Sequence, residues 1–187
     1  MTWIVTGAVL LVVVLAVAWF VGTYNRLVRQ RNQVRAAGAQ VDVQLKRRHE
    51  LIPNLVQTVK GYAAHERGTF EAVVAARQRA VTAETGSRAE QAAAEGALNG
   101  ALGRIFALAE AYPELKADQN FRALQDELTA TEDKLAYARQ FLNTGVQTLN
   151  TTIESFPSSL VAGMTGFRQA EYFEAVGDER GPVRVQF

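Results

Sequence analysis

Two histidine–glutamate pairs are the residues in this sequence whose types could support chemistry. They are His49-Glu50 and His65-Glu66. A zinc-protease motif needs two histidines four positions apart on one helix face, so that both bind the same ion. Here the histidines are sixteen positions apart, which is about four helical turns, and they cannot share an ion on a straight helix. We therefore expect no metal site and no catalytic residues.

Other catalytic patterns are equally hard to place. The chain has no cysteine, which excludes a disulfide framework and a thiolate metal site. No strand-like run precedes a glycine-rich loop, as a phosphate-binding loop requires. We predict that the protein is not an enzyme and holds no cofactor. One alternative left open is an enzyme, or an accessory subunit of a membrane enzyme or protease system, that uses His65 or Glu66 in a cleft near Gly61. Activity or metal content of the purified protein would separate the two. Another alternative is a protein that binds an anionic lipid surface through its basic residues.

The element that must position such side chains is a helix over residues 40–62. Its apolar side chains recur at alternating spacings of four and three, as on a helix packed against other helices. They are Val41, Leu45, Ile52, Leu55, Val59 and Tyr62. Arg48 interrupts this row, where an unpaired charge would be costly. We expect Arg48 to pair with Glu127, Glu132 or a neighbouring acid, or to extend its charged end to solvent.

Pro53 lies inside the same helix. Proline has no N–H to donate to the carbonyl of His49, so we expect a kink, which in the simpler interpretation bends a long helix around its partners. Gly61 and Gly68 are weak points, and nothing clearly stops the helix between residue 24 and about Ala80. The sequence leaves open whether this helix is continuous or broken near Pro53, Gly61 or Gly68. The first predicted turn is residues 82–87.

Two further long helices follow, which makes the predicted class all-α. One runs from about Arg88 to Ala111, and its many alanines and its glycines (Gly96, Gly100 and Gly103) are expected to allow close helix approach. The next begins at Asp118 or Asn120 as cap and ends near Phe156. We predict a single N-terminal transmembrane helix, then an elongated antiparallel up-and-down bundle of three long helices plus a short C-terminal helix. The predicted domains are the anchor (1–23), the bundle (24–156) and the C-terminal segment and tail (157–187).

Residues 3–22 predict the transmembrane anchor. This run of twenty has no charged residue, and at about 1.5 Å per residue it reaches roughly 30 Å, the thickness of the hydrocarbon core. A cleaved signal peptide is the competing interpretation, but the run is long and no basic residue precedes it. Four arginines follow it: Arg26, Arg29, Arg31 and Arg35. The positive-inside rule therefore predicts an N-terminus outside the cell membrane and a cytoplasmic helical domain.

The C-terminal segment, residues 156–173, is unusually apolar for a tail. Its candidate interaction residues are Phe156, Pro157, Leu160, Met164, Phe167, Tyr172 and Phe173. Ser158 or Ser159 could cap a short amphipathic helix within it. We expect this segment to bind a second copy or a partner, and the alternative is that it folds back as a cap on the bundle. Val183, Val185 and Phe187 alternate in a short extended segment that could add a strand-like contact.

Charge is unevenly distributed along the chain. Residues 24–60 carry eight basic residues against Asp42 and Glu50, so this region has a net charge of +6 and the rest of the chain has −5. Such asymmetry is typical of proteins that bind nucleic acid or an anionic membrane surface, but also of bundles in which basic and acidic helices pack together. We expect no nucleic acid as partner, because the basic stretch lacks interleaved aromatic residues and lies near the membrane.

Several motifs together resemble one family. They are YNRLVRQRNQV, QLKRRHELIPNLVQTVKGYAAHE, NGALGRIFALAEAYPELKA, FRALQDELTATEDKLAYARQFLN, FPSSLVAGMTGF and EYFE. The chain resembles the LemA family of bacterial membrane proteins over essentially all residues from Tyr24 onward. The resemblance implies a helical bundle on a single-pass anchor and no catalytic residues. We therefore expect a membrane-anchored scaffold or interaction protein, with the lipid bilayer, a second copy and an unknown membrane or cytoplasmic protein as its partners.

Overall fold

The computed structural model describes residues 1–173, and helices form their regular structure. The six helices are α1 (Thr2–Lys60), α2 (Arg67–Ala83), α3 (Arg88–Ala111), α4 (Pro113–Ala117), α5 (Gln119–Glu154) and α6 (Ser158–Thr165). No strand occurs among these residues, so the predicted all-α class is confirmed. The predicted extended segment at Val183, Val185 and Phe187 lies outside the described residues.

Helix α1 is 59 residues long and contains the apolar stretch. An eighteen-residue window near its N-terminus has a mean hydropathy of 2.9, and none of that window is buried. Trp3 and Leu11, for example, are 89% and 60% exposed. By length and composition, α1 is the one helix of residues 1–173 that could cross a membrane. Pro53 lies inside it and does not end it.

The first turn comes earlier than the sequence predicts. The helix that the sequence leaves either continuous from residue 24 to about Ala80 or broken is interrupted after Lys60, at the predicted weak point Gly61, and α2 begins at Arg67. In the connection the hydroxyl of Tyr62 donates to Asp118 Oδ2 at 2.9 Å. Tyr62, predicted as a core residue, is 39% exposed, because the chain has already left the helix when it reaches this position.

The ends of α3 and α5 have conventional caps. The Ser87 hydroxyl accepts from the Glu90 backbone N–H while the Glu90 carboxylate accepts from the Ser87 N–H, a capping box. These bonds, the backbone one first, lower the pKa of Glu90. Asp118, one of the two predicted caps, accepts from the Phe121 N–H at 2.8 Å. That bond, then the Tyr62 hydroxyl, lowers the pKa of Asp118.

Helix α6 starts without the serine cap that the sequence suggested. Ser158 is its first helical residue, and the Ser158 hydroxyl donates to the carbonyls of Thr152 and Ser155 at 2.7 and 2.8 Å. The hydroxyl therefore supplies a hydrogen-bond donor to backbone carbonyls at the C-terminal end of α5 and does not cap α6. Helix α6 ends at Gly166, which has a φ of +73°, a left-handed conformation that glycine adopts without strain.

The helices form two compact units, to both of which α1 and α5 contribute. Unit 1 contains Met1–Gly38 and Phe141–Glu171, and unit 2 contains Ala39–Gln140 with Tyr172 and Phe173. The core of unit 1 is built on Leu27, Leu149, Val161 and Ala162. The core of unit 2 joins residues of α1, α2, α3, α4 and α5. The predicted domain division at residues 23 and 156 stays a prediction.

Gly100 and Gly103 of α3 do not provide the close helix packing that the sequence predicts. A Cβ atom built at Gly100 or at Gly103 would meet no neighbouring atom within 4 Å. Both positions are exposed. The expectation of close helix approach is therefore wrong at these two glycines, and Gly103 instead borders an open cavity in unit 2.

Candidate functional site

Arg48 lies at the centre of a buried ion cluster in unit 2. It is 5% exposed, and its guanidinium donates to Glu95 Oε2 at 2.9 Å and to the Asn99 side-chain oxygen. Glu132 Oε2 lies 3.4 Å from Arg48 Nη2. The expected pairing with an acid of another helix is thus present. Glu132 was among the expected partners, whereas Glu127 pairs with Arg47 instead.

His49 links the same cluster to the end of α2. Its Nε2 lies 2.6 Å from Glu95 Oε1, and its Nδ1 lies 3.0 Å from Glu84 Oε1. The ring donates both bonds together only when it is doubly protonated. Glu95, 2% exposed, therefore places one oxygen on Arg48 and the other on His49. A carboxylate shared between Arg48 and His49 in the core joins α1 to α3.

Pro53 completes the cluster through a backbone group. Its missing N–H leaves the carbonyl of His49 without its usual intrahelical partner. Arg77 of α2 donates Nε–H to that carbonyl at 2.7 Å. The proline thus frees an acceptor on α1, and α2 uses it. This contact explains how a proline is accommodated in the middle of a long helix.

Glu95 and Asn99 are the cluster residues that the sequence analysis missed. Acidic residues were interpreted as solvated helix faces, yet the apolar row of α3 extends upstream in the same four-three spacing. Counting back from Leu98 by three and then four positions gives Glu95 and Gln91, and both are buried. Polar residues at such positions, like Arg48 on α1, predict mutual pairing.

An open cavity of about 380 Å³ adjoins the cluster. Its lining residues are Arg48, Asn99, Leu102, Gly103, Phe106, Leu128, Thr129, Glu132 and Asp133. The walls are mainly apolar, and the guanidinium at one end is already paired. Thr129 is the lining residue with a hydroxyl group, and this hydroxyl donates to the Gln125 carbonyl at 2.9 Å. The arrangement offers space for an apolar group but supplies no activated nucleophile.

The alternative site near Gly61 is not assembled by the structure. His65 is exposed and Glu66 is half-buried at the start of α2. The groove beside them is lined by Lys60, Ala64, Arg67, Phe70, Glu71, Val74, Ala75 and Gln78. Neither His65 nor Glu66 lines that groove, so a cleft that brings these two residues to a substrate does not form there.

The C-terminal segment is partly core and partly surface. Val161, Ala162 and Phe173 are buried, and the Arg139 guanidinium lies 4.8 Å from the Phe173 ring centroid. Phe167 is half-buried. The exposed members of the candidate set are Phe156 (81%), Leu160 (57%), Met164 (79%) and Tyr172 (43%), and Pro157 is exposed as well. Part of the segment therefore folds back onto the helices, and binding of a partner by the exposed part stays a prediction.

Comparison with known proteins gives one family. A family model described as the LemA family matches residues 37–187. The chain is 29% identical to magnetosome protein MamQ 1 of Paramagnetospirillum magneticum, with 89% of this chain and 72% of that protein covered. It is 28% identical to magnetosome protein MamQ of Magnetospirillum gryphiswaldense, with 80% and 64% covered. It is 25% identical to protein LemA of Metamycoplasma hominis, with 88% and 74% covered.

Proposed function

The chain belongs to the LemA family, and on that premise we propose that it is a single-pass, membrane-anchored helical-bundle protein that acts as a non-enzymatic scaffold. Its N-terminus lies outside the cell membrane and its helical units lie in the cytoplasm. It works by presenting helical surfaces to other molecules, including a second copy of itself.

One observation carries this proposal. The eighteen-residue apolar window of α1 is entirely exposed, although α1 buries apolar side chains such as Leu27 and Val41 further along. In water such a surface would be costly, since about 25 cal/mol is lost per Å² of exposed apolar area. A lipid environment removes that cost, and the backbone polar groups are already satisfied within the helix.

The interaction role is supported by how the charged groups are used. The carboxylates nearest the buried cluster, Glu84, Glu95 and Glu132, are all engaged by Arg48 or His49. In a catalytic site such groups would face a substrate. Here they join helices, while large apolar side chains remain on the surface at Phe156, Leu160 and Met164.

Cysteine labelling tests the anchor and its orientation, because the chain has no cysteine of its own. We would compare Thr2→Cys with Val74→Cys, which lies exposed on α2, using a membrane-impermeant maleimide on intact cells. We expect labelling at residue 2, and labelling at residue 74 after the cells are opened. Labelling of residue 74 alone in intact cells would reverse the orientation, and release of the protein from washed membranes would contradict the anchor.

Crosslinking from intact membranes tests the scaffold role. We expect the purified crosslinked protein to carry defined partners or a second copy, and to lack hydrolase activity and stoichiometric metal. Recovery of one membrane enzyme or protease in fixed ratio would favour the accessory-subunit alternative.

A further inference from the structure

Helix α6 presents an apolar face that nothing in unit 1 covers. Leu160 and Met164 are four positions apart on α6, the spacing of a single helix face, and Phe156 lies two residues before the helix begins. Phe156, Leu160 and Met164 are 81%, 57% and 79% exposed. We refer to these three residues as the α6 apolar face. Between Glu154 and Arg168 the sequence has no charged residue, so this surface also lacks the charges that usually solvate an exposed helix.

The opposite side of α6 is fixed to α1. Val161 and Ala162 are each 1% exposed and share a core with Leu27. Phe20 packs against the same core. Since Val161 and Ala162 are buried while Leu160 and Met164 are exposed, the α6 apolar face points away from the core.

The segment after α6 holds this position. The Phe167 ring meets the Tyr24 ring edge-on, with centroids 6.0 Å apart, and the Arg31 guanidinium lies 4.8 Å from the Phe167 centroid. Asn150 then fixes the returning chain through two bonds with the backbone of Ala170, at 2.8 and 3.0 Å. Helix α6 is therefore placed beside residues 20–27 of α1 by contacts on both sides.

That position coincides with the end of the apolar stretch. Residues 3–22 form the uncharged run, so Phe20 lies within it and Leu27 lies five residues beyond it. Five helical residues correspond to about 7.5 Å, and the polar layer on each side of the hydrocarbon core is about 5–8 Å thick. A helix held at this level lies in the interfacial layer, into which in-plane helices bury an apolar face by about 5–10 Å.

We propose that the α6 apolar face binds the lipid bilayer, inserting Phe156, Leu160 and Met164 into the interfacial layer beside α1. The inference rests on the proposed membrane anchor and adds a second lipid contact to it. Lipid is the expected occupant because the core side of α6 packs on Phe20 and Leu27, which places the exposed side at the level where the apolar stretch of α1 ends. Exposed Arg26 and Arg29 stand at the same level, where they can meet lipid phosphates.

Fluorescent probes on single cysteines test the proposal in the full chain. The variants are Leu160→Cys and Met164→Cys, with Val74→Cys as an exposed control on α2 and Leu11→Cys as a control inside the apolar stretch. Each is labelled with a polarity-sensitive dye and reconstituted in vesicles of phosphatidylcholine and phosphatidylglycerol, with or without lipids that carry a nitroxide quencher. We expect a blue-shifted emission and a loss of intensity with nitroxide lipid at residues 160 and 164, as at residue 11, and neither change at residue 74.

Two outcomes at residues 160 and 164 overturn the inference, and the probe at residue 11 shows whether the membrane anchor fails with it. Probes at residues 160 and 164 that behave like the one at residue 74 would mean that the face is in water. A blue shift without nitroxide quenching would mean that a protein, including a second copy, covers the face. If the probe at residue 11 also escapes quenching, the membrane anchor itself fails. If residue 11 is quenched while residues 160 and 164 are not, the anchor stands and only the α6 inference is lost.

Discussion

At the scale of single residues, the buried carboxylate of Glu95 determines how α1 and α3 are joined. It accepts from Arg48 at 2.9 Å and lies 2.6 Å from His49 Nε2, and all three residues are at most 5% exposed. Buried ions stabilise each other only when every partner is present. Removal of one charged group therefore destabilises the fold more than replacement of the whole set.

The first prediction follows from this dependence. Glu95→Gln should lower the free energy of unfolding by about 3–5 kcal/mol, since it leaves Arg48 and His49 facing a neutral amide in the core. Arg48→Met should cost less than Arg48→Ala, because methionine fills the volume without bringing a charge. Urea unfolding measures all three.

Glu127→Gln is the matched control, because Glu127 pairs with Arg47 at a position where both side chains are more than 40% exposed. Such a surface pair contributes about 0–1 kcal/mol. Equal losses for Glu95→Gln and Glu127→Gln would contradict a buried ion cluster that stabilises unit 2.

The second prediction concerns acid stability and Asp118. Backbone bonding to Phe121, followed by the Tyr62 hydroxyl, lowers the pKa of Asp118 from its ordinary value of 3.8. A lowered pKa means that the carboxylate stabilises the fold above pH 3.8, and that this contribution is lost as the pH falls through the lower folded pKa. Asp118→Asn, which keeps a capping oxygen, should flatten the decline of melting temperature on acidification.

Asp126→Asn controls for the loss of one carboxylate from α5, because residue 126 is away from the helix end. Its acid profile should follow that of the unaltered protein. If the two variants flatten the profile equally, the cap of α5 is not the source of the acid dependence.

At the scale of helices, Pro53 and Arg77 act as a pair that joins α1 to α2. The proline leaves the His49 carbonyl free, and the Arg77 guanidinium occupies it at 2.7 Å. A proline inside a helix ordinarily costs about 3 kcal/mol relative to alanine. The bond from Arg77 offsets part of that cost, since hydrogen bonds from charged groups contribute about 1.5–3 kcal/mol.

The third prediction is a coupling between these two residues. Arg77→Met alone should destabilise the protein, whereas in a Pro53→Ala background it should cost less, because the restored N–H of residue 53 then supplies the His49 carbonyl. A double-mutant cycle should give an interaction free energy of about 0.5–3 kcal/mol. Additive effects would mean that Arg77 stabilises unit 2 by packing and not through this carbonyl.

The same helices show what sequence patterns can and cannot reveal. The start of α3 at Arg88 and its end at Ala111 were predictable, because the cap, the turn and Pro113 are local signals. The break between α1 and α2 was indicated only by the weak point Gly61. Alanines favour a helix there, and the Tyr62 hydroxyl donates to an acceptor fifty-six positions away, which a local pattern does not reveal. The pairing of Arg48 followed from its place in an apolar row. The role of Glu95 would have followed from extending the row on α3.

At the scale of the whole chain, the C-terminal segment belongs to the folded structure as well as to its surface. Val161 and Ala162 complete the core of unit 1 with Leu27 and Leu149. Leu160 and Met164, on the same short helix, are exposed and do not belong to that core. The effect of removing the segment and the effect of altering its surface should therefore differ.

The fourth prediction separates these two contributions. A chain that ends at Ser155 should melt at a lower temperature than the full chain, since it exposes Leu27 and leaves Asn150 without the Ala170 backbone. The double variant Leu160→Ser/Met164→Ser should melt within a few degrees of the original, because exposed side chains contribute little to folding. Differential scanning calorimetry in detergent compares the three, and a truncated chain with an unchanged melt would contradict the structural role.

Unit 1 has one further property, which concerns the order in which the protein is made. Gln30 of α1 donates to the Thr152 hydroxyl of α5, 122 positions later in the chain, and Leu27 has its core partners at Leu149 and beyond. At synthesis rates of about 5–20 residues per second, roughly 6–24 s pass between the appearance of one side of this contact and the other. During that interval unit 2 can already pack, since most of its residues form one continuous stretch, Ala39–Gln140. The core of unit 1 can form only after α5 has been synthesised. A ribosome stalled before residue 149 therefore holds a chain in which Leu27 lacks all of its core partners from Leu149 onward.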